Sequence, residues 1–274
     1  MSNNSWKRDF KAENTYDSNG HKTLRVAYTW DSNNNIWIFH NKQETDFDIN
    51  GKETLFAYYL WDNANNSWKG THSKSESVFD NNGKIILYVA YTWDIFNNCW
   101  IRDSKSENTY DSNGNKTLAI GYKWDKINSD WKESSKSEFA YDSNGNKTLD
   151  VSSTWDATTN SWKGSFKYET TYDSNENKTI YLSYIWDTTT KSWKEDRKSE
   201  FTYNTSGKKI LELIYGWDNT VNSWKGPSKT ETTYDSNGNI ALIVGYTWDK
   251  TNNIWKAYTK TETNFDSNNN QTLK

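Results

Sequence analysis

The chain has 274 residues, of which 33% are hydrophobic and 16% aromatic, so rings make up nearly half of its apolar content. It is too aromatic to stay disordered and too polar to bury a thick aliphatic core. With a net charge of -3 and interleaved Lys and Glu, it offers no basic stripe for nucleic acid and no polybasic or long apolar run for membrane insertion.

The opening residues MSNNSWKRDF lack the apolar stretch of a signal peptide. From Trp6 onward the tryptophans recur in two interleaved sets. One runs Trp6, Trp37, Trp68 and onward to Trp255; the other runs Trp30, Trp61, Trp93 and onward to Trp248. The spacing is 31 residues and lengthens once to 32, between Trp68 and Phe79, where an extra residue predicts a β-bulge. A single domain, 1–274, of about eight and a half repeats follows. Both ends fall inside a repeat unit, as expected of a segment of a longer protein.

In the first repeat, Leu24, Val26, Tyr28 and Trp30 alternate with polar residues, which predicts a half-buried strand. The preceding strand places Trp6 and Tyr16 at one parity and Lys11 and Glu13 at the other. Between the two strands lies YDSNG. A two-residue turn there would put the apolar set of one strand on the polar face of the other. A three-residue loop, Ser18 to Gly20, closed by a glycine at positive φ, avoids this. It sets Asp17 opposite His21 and Ala12 opposite Val26, with Trp6, Tyr16, Leu24 and Trp30 on one face and Lys11, Glu13, Lys42 and Glu44 on the outer one. Asp17 and Gly20 are thus structural turn residues, as are Asp111, Gly114, Asp142 and Gly145 in the identical stretches YDSNGNKTL. The next loop, Ser32 to Asn35, sets Trp30 opposite Trp37, and every W-D-x5-W unit, Trp124 and Trp131 included, repeats the pair.

The predicted architecture is all-β: an antiparallel hairpin tandem repeat of about seventeen strands, two per repeat. Accumulated twist predicts a curled or spiralled single sheet with an inward aromatic face. A propeller, whose blades would each use two repeats, is the alternative.

In the second repeat, Phe56, Tyr58 and Leu60 occupy outward positions that are small or polar elsewhere, which marks a contact for a protein partner or a second copy of the chain. Trp30, Trp37, Trp124 and Trp131 offer ring faces suited to a glycan. The DSNGN loop has glycine at its fourth position rather than the sixth of an EF-hand, so no metal is expected. His21, His40 and His72 fall at unrelated points of the period, Cys99 is alone, and no nucleophile motif appears. No catalytic residue, enzyme activity or cofactor is expected.

The units resemble the YD repeats of bacterial Rhs-type proteins through the Y-D-x-x-G-N core at Tyr110, Asp111, Gly114 and Asn115, and again at Tyr141, Asp142, Gly145 and Asn146. They resemble more closely the tryptophan-containing variants carried in tandem by secreted and surface proteins of bacteria. The resemblance implies a spiralling hairpin sheet, an extracellular or cell-surface location, and a structural or adhesive role. A lectin-like repeat using Trp and Tyr faces, and a part of an encapsulating shell, are the alternatives. Units longer than the usual YD repeat and the added W-D-x5-W element depart from the pattern.

Overall fold

A computed structural model of the chain describes residues 9–266 and 270–273; Trp6 lies outside them. Strands occur where the alternation predicts them, and by its contacts the chain falls into two compact units, Met1–Ser135 and Lys136–Lys274. The first unit carries β1 (Phe10–Tyr16), β2 (Lys22–Asp31), β3 (Ile36–Phe47), β4 (Glu53–Asp62), β5 (Ser67–Phe79), β6 (Ile85–Asp94), β7 (Cys99–Tyr110) and β8 (Lys116–Asp125). The unit boundary falls within β9 (Asp130–Tyr141). The second unit carries β10 (Lys147–Asp156), β11 (Ser161–Tyr172), β12 (Lys178–Asp187), β13 (Ser192–Tyr203), β14 (Lys209–Asp218), β15 (Ser223–Tyr234), β16 (Ile240–Asp249), β17 (Ile254–Glu262), and the short pair β18 (Asn264–Phe265) and β19 (Gln271–Leu273).

Within each unit, every strand of the repeat pairs antiparallel with the next. Pairing does not break after four strands, so the hairpin meander holds and propeller blades are absent from both units. The sheet has little conventional core. Among the described residues Ala27, Ala57 and Val151 are the buried apolar ones, and no large side chain is fully buried. The accessible surface is 17934 Å², against about 12,000 Å² expected for a globular chain of this size.

Both loops take the predicted lengths. In YDSNG, the Gly20 N–H donates to the Asp17 carbonyl, the Asp17 N–H donates to the His21 carbonyl, and the Asp17 carboxylate accepts from the Asn19 and His21 amides at 2.9 and 2.8 Å. Gly20 sits at φ +84°. At the other end of the hairpin, Asp31 pairs with Ile36 and Trp30 with Trp37. The Asp31 carboxylate accepts from the Asn33 and Asn34 amides, and Asn35 closes the loop at φ 55°.

The strand faces differ from the expected ones, because beyond the G1 bulge expected at each glycine turn the strands carry two further bulges per repeat, where one was expected in a single repeat. The first follows the glycine turn: Tyr16 pairs with Lys22, but Thr15 pairs with Leu24. Ala12 therefore lies opposite Ala27, not Val26. The second follows the tryptophan: Tyr28 pairs with Phe39 while Ala27 pairs with Asn41. Each extra residue reverses the parity downstream. Lys11, Glu13, Lys42 and Glu44 consequently join Leu24, Val26, Tyr28 and Trp30 on the aromatic face, and Tyr16 moves to the other face. The 32-residue unit keeps its additional residue in β5, where Tyr59 pairs with Gly70 and Ala57 with Lys74.

Glu176 stands at the glycine position of its turn with φ 65°. Glu176→Gly removes the steric cost of that conformation and is expected to raise stability by up to about 1 kcal/mol. Urea denaturation checks this, and a loss of stability would contradict the turn geometry.

Candidate functional site

The aromatic face is built from one contact repeated. In all eight W-D-x5-W hairpins the two indole centroids lie between 5.0 and 5.2 Å apart with interplanar angles of 68° to 80°, edge to face. Such pairs add about 0.5–1.5 kcal/mol each beyond area burial. Trp30 with Trp37 and Trp124 with Trp131 are two of the eight.

Beside the pairs, except in the fifth repeat, sits a polar clamp of Lys, Glu and Tyr. Lys42 lies 2.7 Å from the Glu44 carboxylate, the Tyr59 hydroxyl donates to the same carboxylate at 3.1 Å, and the Lys42 ammonium stands 4.2 Å from the Tyr59 ring centre and 5.6 Å from that of Trp68. Lys105, Glu107, Tyr122 and Trp131 repeat the arrangement. The hydrogen bond from Lys105 holds the Glu107 carboxyl below the usual carboxylate range. Burial, together with the bond to Glu107, pushes the Tyr122 hydroxyl up to about 12; Tyr91, against Glu76, is raised likewise to about 12. The constant separation of 15 residues between Glu and Tyr, kept even in the long repeat as Glu76 to Tyr91, is the signal in the sequence that these groups act together.

Successive hairpins meet through the residue two beyond the second tryptophan. Phe39 packs 4.8 Å from Trp61 and 5.2 Å from Trp68. Gly70 and Gly164 occupy the same place, and a Cβ there would come within 2.2 Å of Trp93 and 2.5 Å of Trp193 respectively. On the opposite face the YD tyrosines reach back one hairpin: the Tyr203 and Tyr234 hydroxyls donate to the carbonyls of Lys178 and Lys209, each at 2.8 Å.

Asp111 and Asp142 accept from the amides of Asn115 and Asn146 at 2.8 and 2.9 Å, while Gly114 and Gly145 take φ +80° and +87°. Phe56 and Tyr58 are half-buried and Leu60 is 43% exposed. Phe56 lies opposite Thr45 and Leu60 opposite Asn41, both buried, so the trio helps to cover a polar row of the face away from the tryptophans. The structure therefore separates the two sets of candidate binding residues onto opposite faces. Cys99 is exposed and unpaired, and among the described residues no group of three or more His, Cys, Asp or Glu gathers at a metal-holding spacing.

No family model and no curated protein matches the chain. Solved structures similar to it include a DUF3836 family protein from Parabacteroides distasonis, 19% identical over 36% of this chain and 90% of that one, with a TM-score of 0.28. TcdB2-TccC3-TEV is 12% identical over 96% of this chain and 16% of its own, with a TM-score of 0.29. A porin-like protein from Bacteroides uniformis is 9% identical over 90% and 86%, with a TM-score of 0.26. Likeness at this level assigns no family.

Two predictions follow from the face. The single losses in Trp124→Ala and Trp131→Ala should sum to more than the loss in the double variant by about 0.5–1.5 kcal/mol; additivity in the cycle would show that the rings do not touch. The ionisable groups set a pH window. Tyr91 and Tyr122 are raised, so their contribution is full below the ordinary tyrosine range and is lost as pH rises through about 12. Glu107, lowered by Lys105, and Asp111, lowered by the Asn115 amide, contribute above the ordinary carboxylate range and lose that contribution as pH falls below it. The denaturation midpoint should be flat from roughly pH 5 to 9 and fall on both sides. A midpoint that rises toward either extreme would contradict these assignments.

Proposed function

We propose that the chain is a non-catalytic structural and adhesive module of YD type, belonging to a bacterial surface or secreted protein, in which repetition supplies length and resistance to load. The observation that supports this reading is the uniformity of the tryptophan contact: eight pairs keep their separation within 0.2 Å, from 5.0 to 5.2 Å. A repeat protein of this kind is stabilised by each unit and its nearest neighbours, so units can be added without redesign of a shared core.

Single-molecule extension of the chain held at its two ends tests the reading. Loss of one 31-residue unit should release about 100 Å, from ~3.6 Å per extended residue less two strand spacings of ~4.8 Å. A ladder of such steps is expected. One all-or-none rupture, or extension without resolved force, would contradict a load-bearing repeat.

A further inference from the structure

The period is broken locally in the pairing of β10 with β11. At the position of the clamp tyrosine, the fifth repeat has Ser153, opposite Gly164, where other repeats pair tyrosine with a residue such as Phe39 or Glu195. The neighbouring rings of Trp186 and Trp193 close onto Gly164. Next to this contact lies a trough of about 280 Å³ walled by Trp162 and Trp186 and rimmed by Thr159, Ser161, Lys163 and Lys191.

The cations of this rim differ from those of the hairpins that follow. In the three following hairpins the lysine after the second tryptophan is neutralised by the W-D aspartate: Lys194 by Asp187, Lys225 by Asp218 at 2.8 Å, and Lys256 by Asp249. Lys163 has no such partner. Asp156, also in the lining, directs its carboxylate to the Thr158 amide at 2.9 Å and the Thr159 amide at 3.4 Å. Lys191 occupies the left-handed loop position at φ 51°, and neither lysine makes an ion pair with a described residue. A second trough of the same construction, about 320 Å³, lies in the other unit between Trp100 and Trp124. There Arg102 stands 4.9 Å from the Trp124 ring centre and likewise has no carboxylate partner among the described residues.

We propose that the trough of Trp162 and Trp186 binds an anionic pyranose, one unit of an acidic polysaccharide. An indole face takes the C–H face of a sugar ring, the threonine and serine hydroxyls match sugar hydroxyls, and the two unpaired ammonium groups match a carboxylate or sulfate. The volume admits a single ring. A neutral sugar would leave both lysines without a partner. With a net charge of -3, the chain as a whole does not attract polyanions, so binding has to come from local charge. A nucleic acid would need a row of cations at phosphate spacing, and two lysines do not supply one.

The test is titration calorimetry of the full chain with polygalacturonate, dextran sulfate, neutral dextran and an oligothymidylate. Binding of an acidic polysaccharide with no response to dextran is expected; the uronate and sulfate arms distinguish the anionic group. Lys163→Ala/Lys191→Ala should weaken that binding at least about tenfold without lowering the melting temperature, because neither lysine makes an ion pair with a described residue. Lys225→Ala, which removes a paired lysine, should leave binding unchanged. Equal weakening by Lys225→Ala, an unaffected double variant, no binding to either acidic polymer, or preference for the oligothymidylate would each overturn the proposal.

Discussion

The edge-to-face contact between the two indoles that flank each W-D loop is the interaction on which the rest of the structure depends. A sheet in which no large side chain among the described residues is fully buried cannot rely on a second layer, so its stability has to come from neighbours on the same face. Eight such contacts supply on the order of 4–12 kcal/mol beyond area burial, comparable with the whole net stability of an ordinary domain. They also fix geometry. Once Trp30 faces Trp37, the loop between them has four residues, and the last, Asn35, must turn left-handed.

The tryptophan pair is only half of the repeat, and the bulges connect it to the rest. By reversing parity after Phe39, the bulge brings Lys42 and Glu44 onto the aromatic face, where they hold Tyr59 and lie beside Trp68. Partly covered ion pairs of this kind contribute little alone. Their position matters more, since each clamp joins one hairpin to the rings of the next. The YD tyrosines, expelled to the other face by the bulge after the turn, make the matching link there through carbonyls such as that of Lys178. Adjacent hairpins are thus joined on both faces.

Loop lengths, cross-strand tryptophans and the left-handed turn at Glu176 were legible because turn chemistry and period-two alternation are local signals. Face assignment beyond the loops was not. A bulge adds a residue without adding a turn signal, and counting parity through Thr23 or His40 puts Lys11, Glu13 and Tyr16 on the wrong side. The invariant step from Glu76 to Tyr91, unchanged where the repeat is longer, is the clue that parity alone overlooks. The candidate site was legible only as rings. That Lys163 and Lys191 lack the partner Lys225 has depends on loop geometry that composition does not encode.

Circular dichroism in the far-ultraviolet indole band tests the central claim most directly. Two indoles held edge to face at 5.0–5.2 Å couple their transitions, so the folded chain should show a pair of bands of opposite sign that disappears together with the strand signal on heating. A folded, strand-rich chain without that couplet, or one whose couplet melts well before its strands, would contradict an account in which the tryptophan pairs hold the sheet.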